Sequence, residues 1–158
     1  MDHRRAASLL AHDLDLLEEQ TQGYAGRLKI QAAGPWTLAA TMERPRGDRV
    51  IGDHGARRDL AQALADGVRT HAADVSRRLP AAELVVQVDE PALPAVLAGS
   101  IPTASGLGRH RSVTVAEAVP QLPSEPSVTH VDSVALGVLP WRVARSSAGP
   151  PCCSVRRA

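Results

Sequence analysis

Two adjacent carboxylates, Asp89 and Glu90, close an almost wholly aliphatic run, Leu84-Val85-Val86-Gln87-Val88, and Pro91 follows at once. Such a run predicts a strand covered on both faces, as in a parallel sheet flanked by helices. Pro91 has no amide to donate and disfavours helix at Glu90, so pairing is expected to stop there. Asp89 and Glu90 then stand at the carboxyl end of the strand, where open α/β sheets and α/β barrels bind their ligands. They are the candidate ligand-binding residues. The competing reading is that they cap the next helix or are simply solvated.

Other reactive side chains are poorly grouped. His3, His12, His54, His71, His110 and His130 are scattered, with no pair at ligand spacing beside a cysteine. Cys152 and Cys153 are neighbours, so they cannot staple distant segments, and a reducing cytoplasm fits this usage best. No metal site is expected. The net charge of +1 argues against nucleic acid or an anionic membrane as main partner, and Arg156-Arg157 is too short to change that. Lys29 is the only lysine, which reads as GC-rich coding bias rather than a binding signature. No segment approaches ~18 continuous apolar residues, so no membrane span is expected.

The elements that must position Asp89 and Glu90 are legible upstream. Leu9, Leu10, Leu14 and Leu17 predict an amphipathic helix over residues 4–20, ended by Gly23 and Gly26. Residues 27–32 predict a strand that runs into the turn Gly34-Pro35-Trp36-Thr37, where Trp36 suits a core plug and Thr37 an N-cap. Asp53 is a candidate N-cap for a long helix over residues 53–79, whose Leu60, Leu64, Val68, Ala72, Val75 and Leu79 share one face. Strand, helix, strand implies a right-handed parallel crossover. Beyond Val119 six prolines interrupt every run. Residues 119–158 therefore read as a Pro-, Arg- and Ser-rich tail, disordered or frame-altered, apart from a short strand near Val131–Val138.

Gly34-Pro35-Trp36-Thr37-Leu38, then Arg44-Pro45-Arg46, the long helix, and Gln87-Val88-Asp89-Glu90-Pro91-Ala92-Leu93 follow in the order of the catalytic barrel of cobalamin-independent methionine synthases. Residues 5–115 resemble that family, most closely its short, single-barrel bacterial members. The resemblance implies a partial (β/α)8 TIM barrel over residues 1–118, in the α/β class. It implies transfer of a methyl group from 5-methyltetrahydrofolate to homocysteine. Zinc would hold homocysteine as a thiolate, since a thiol is a weak nucleophile until it loses its proton. The resemblance makes Asp89 the acceptor of the substrate ammonium group, with Glu90 beside it. It makes Arg44 and Arg46 candidates for the folate's glutamate tail.

The chain also departs from the family. It has no His-x-Cys motif for zinc, no Gly-Ser-x-Pro-like turn upstream, and Thr41-Met42 where the family carries an aromatic residue. The expectation is a polypeptide of methionine-synthase type, truncated and inactive by itself. The alternatives are a non-catalytic barrel fragment or a uroporphyrinogen decarboxylase-like barrel. A partial barrel would also leave sheet edges open to self-association.

Overall fold

The computed structural model describes residues 2–45 and 47–122, and the backbone of 127–130. Helix α1 (Asp2–Gln20) leads through a turn at Gly23 into strand β1 (Arg27–Ala33). Helix α2 (Pro35–Thr41), a single 3-10 turn at Val50–Gly52 and the long helix α3 (His54–Arg78) lead to strand β2 (Glu83–Asp89). Short helices α4 (Leu93–Leu97) and α5 (Val115–Ala118) and a second 3-10 turn (Val119–Gln121) precede strand β3 (Ser127–His130).

The described strands form an open parallel sheet in the order β1-β2-β3, with β2 in the middle. The expected (β/α)8 barrel, even as a partial one, is overturned. A barrel interior is filled by layers of branched aliphatic side chains. Here one face of the sheet carries Arg27, Lys29 and Gln31 of β1 beside Glu83, Val85, Gln87 and Asp89 of β2, so that Val85 is the one branched aliphatic among them. Along β2 only the alternate residues Leu84, Val86 and Val88 are buried, and the residues of its other face are half-buried.

Helix α3 forms where the apolar stepping places it. Asp53 caps it, its carboxylate accepting from the Ala56 amide at 3.0 Å, which satisfies one of the free amides of the first turn. Its last turns join Leu14, Leu79, Ala82 and Leu84 around Val75 in one core cluster. The rest of its predicted apolar face, Leu60, Leu64, Val68 and Ala72, is only half-buried. A second cluster gathers Trp36, Ala39, Ala40, Ile51, Leu93, Val96, Ile101, Val113 and Ala118. It fastens α2, α4 and α5 together beyond the carboxyl end of the sheet. Each buried Leu, Val or Ile there contributes about 1.5–3 kcal/mol.

The described residues past 118 also form regular elements. Val119 starts a 3-10 turn, Leu122 packs on the second cluster, and β3 extends the sheet. The strand expected near Val131–Val138, Trp141, Cys152 and Cys153 lie outside the described residues, as does Arg46.

Candidate functional site

Strand β2 delivers its two terminal carboxylates to opposite sides of the sheet, because successive side chains on a strand alternate. Asp89 points to the polar face. Its Oδ2 accepts from Gln31 Nε2 at 2.6 Å and its Oδ1 from Gln87 Nε2 at 2.5 Å. Gln87 in turn accepts from Lys29 Nζ at 3.1 Å, and Arg27 lies 3.6 Å from Glu83. A file of cross-strand polar contacts therefore runs along this face and ends at Asp89. The Asp89 carbonyl accepts from the Gly34 amide at 2.7 Å, which seats the aspartate against the start of α2.

Glu90 points the other way and is completely buried. Its Oε1 accepts from the Trp36 amide at 3.0 Å. Its Oε2 accepts from the Thr37 amide and the Thr37 hydroxyl, both at 2.7 Å. The same hydroxyl accepts from the Ala92 amide at 3.3 Å. Helix α2 starts at Gly34, whose missing side chain provides no cap, with Pro35 as its first helical residue. Trp36 and Thr37 thus carry the second and third amides of the helix, the ones a capping side chain normally satisfies. Glu90 is that cap, supplied from β2, and its charge also suits the positive end of the helix dipole. Thr37, read from sequence as the cap, instead receives one. Burial pushes the Glu90 pKa upward, against the lowering effect of hydrogen bonds from Thr37 and Trp36.

Trp36 is a core plug, as its turn suggested. It is 1% exposed, and its indole donates to the Ala118 carbonyl at 3.1 Å. The Arg57 guanidinium stacks 5.5 Å above its ring centroid. Arg44 is engaged within its own loop, donating to the Asp48 carbonyl at 3.2 Å and to Asp53 at 3.0 Å.

Sequence reasoning missed one polar cluster. Asp48 Oδ1 accepts from the Arg49 and Ala104 amides at 2.8 and 2.9 Å and lies 3.2 Å from His110 Nε2. It ties the 43–52 loop to the 102–110 loop. The Arg49 amide is the main influence holding the Asp48 carboxyl below its usual range. Nothing local in the sequence pairs Asp48 with His110, 62 positions apart. A second missed feature did have a signal. Thr114 and Glu117 form a reciprocal capping box on α5, at the Thr-x-x-Glu spacing that marks one.

Among the described residues no group of three His, Cys, Asp or Glu side chains is placed to hold a metal ion. The zinc that the resemblance implies therefore has no ligand set among them. No helix among them is long and apolar enough to cross a membrane. No protein-family profile, curated protein sequence or solved structure matches the chain.

Proposed function

We propose that the carboxyl end of β2 is an amino-acid site of methionine-synthase type, in a cytoplasmic protein, and that Asp89 receives the ammonium group of homocysteine. The observation that carries this reading is the fixing of the Asp89 carboxylate by Gln31 and Gln87 at the end of the central strand. Two amide donors hold its oxygens at a set angle, so little orientation is left to lose when a cation arrives. In the same reading Glu90 is a positioning residue. It holds Gly34–Thr37 against the site and does not meet the ligand.

The proposed activity of these residues stops at binding. Methyl transfer to a thiol needs a thiolate, and making one at neutral pH is the role the resemblance gives to zinc. With no ligand set for zinc among the described residues, no turnover is assigned to this polypeptide by itself. 5-Methyltetrahydrofolate remains the methyl donor implied by the resemblance.

Calorimetric titration of the purified chain with L-homocysteine and L-methionine tests the proposal. Asp89→Asn keeps the size, removes the charge and turns one of the two acceptor oxygens into a donor. It is expected to weaken binding by about 1–3 kcal/mol, the scale of a hydrogen bond to a charged group. Equal binding by wild type and Asp89→Asn would remove Asp89 from the site. No binding of either amino acid to wild type would overturn the reading.

A further inference from the structure

Helix α1 extends past the body of the protein. Residues 2–13 are all exposed, and contact with the core begins only at Leu14 and continues at Leu17. Arg78 fixes the rotation of the helix. Its guanidinium lies 2.6 Å from Asp15 and 2.9 Å from Glu18, so those acids face inward toward α3. On the side turned away from the core, Asp2, Arg5, Leu9, His12, Leu16 and Glu19 recur at alternating intervals of three and four. That is the heptad spacing of a coiled-coil seam. Leu9 is 54% exposed and Leu16 is 44% exposed, although both are large and apolar.

We propose that this stripe is a self-association surface, on which α1 of a second copy of this chain lies antiparallel. The charge order on the stripe selects both partner and direction. Arg5 stands near its start and Glu19 near its end, and neither has a hydrogen bond or ion pair among the described residues. In an antiparallel pair with its two-fold axis beside His12, Arg5 of each copy faces Glu19 of the other. Leu9 then faces Leu16 across the seam, twice by symmetry. In a parallel pair the arginines would meet each other, as would the glutamates, and repulsion would oppose it. The seam is one helix wide, below the area of a standard stable interface, so the dimer is a weak and salt-sensitive one.

Sedimentation equilibrium on the full chain across a range of concentrations tests this. Wild type is expected to dimerise reversibly. Arg5→Glu and Glu19→Arg should each weaken the dimer about tenfold, because each reverses two symmetric charge pairs. An equimolar mixture of the two variants should regain wild-type association, since both charge contacts are then opposite in sign again. A monomer at every concentration would overturn the proposal. So would a dimer indifferent to Arg5→Glu and to Leu9→Asp, which would place the contact at the sheet edge, or rescue failing in the mixture.

Discussion

The carboxyl carbon of Glu90 lies 2.3 Å from the point that a β-carbon at residue 34 would occupy. Gly34 has φ −80° and ψ 166°, a conformation open to any residue, so the demand for glycine is purely steric. The backbone amides that Glu90 caps can be reached only if nothing stands at that point. Gly34→Ala is expected to destabilise the fold by about 2–3 kcal/mol, the cost of overpacking a rigid site. Glu90→Ala leaves the Trp36 and Thr37 amides and the Thr37 hydroxyl without their acceptor, and about 3–5 kcal/mol should be lost. Because the two residues compete for one space, the double variant should fall short of the sum by about 1–3 kcal/mol. Urea unfolding of the four proteins measures this, and strict additivity would show that the two do not compete.

The pH dependence of stability follows from the same carboxyl group. Burial raises the Glu90 pKa above its ordinary 4.5, so the folded chain keeps that proton where the unfolded chain has released it. Its contribution is complete below pH 4.5 and is lost as pH rises through the folded pKa. Asp48 and Asp53 act in the opposite sense. Amides of Arg49 and Ala56, respectively, lower their pKa values below 3.8, and their contribution is lost as pH falls through those lowered values. Glu90→Gln cannot titrate. Its melting temperature should fall less than that of wild type between pH 4.5 and neutrality, while its acid limb stays the same. Parallel curves over that window would show that burial does not control Glu90.

Trp36 joins α2 to α5 through its indole as well as its bulk. Trp36→Ala should cost about 3–5 kcal/mol, as expected for deleting a large buried aromatic. Trp36→Phe keeps most of the contact area but cannot donate to the Ala118 carbonyl. Amide hydrogen exchange should then quicken over residues 114–122 and remain unchanged in the second half of α3. Uniform quickening everywhere would mean that the indole hydrogen bond has no local role.

Gln31 is exposed, and its amide meets the tip of the Asp89 carboxylate. Gln31→Leu removes an orienting donor while leaving the Asp89 charge in place. Homocysteine binding should weaken by about 0.5–1.5 kcal/mol, less than for Asp89→Asn, with the melting temperature unchanged. A larger loss than for Asp89→Asn would make Gln31, rather than Asp89, the primary contact.

Long-range pairing separates what the sequence discloses from what it hides. The stepping of Leu60 through Leu79 and the cap at Asp53 locate α3, because a helix of that length carries its own periodic signal. The aliphatic run ending in Asp89 locates β2 for a similar reason. Helix α2 was not legible. Seven residues are too few for a period, and its cap comes from a residue 54 positions away. Asp89 and Glu90 look equivalent in the sequence, and only their opposite orientation on the strand separates a half-buried carboxylate on the polar face from a fully buried cap. The barrel expectation failed because residues at a strand end describe that end and say nothing of how many strands close around it. Gln31 and Lys29 mark the polar sheet face only once the strand pairing brings them within reach of Asp89 and Gln87 on the diagonal.

The reach of Glu90 back to Trp36 also has a consequence during synthesis. A helix of seven residues is too short to persist alone in water, and α2 acquires its cap only after 54 further residues have been made. At a translation rate of about 5–20 residues per second, that interval lasts roughly 3–11 s. Throughout it Trp36, the bulkiest fully buried side chain among the described residues, has no core to enter. The nascent segment around it is then open to whatever binds aromatic residues at the ribosomal exit, first until Glu90 emerges to cap α2 and then until Leu93 to Ala118 follow to complete the core.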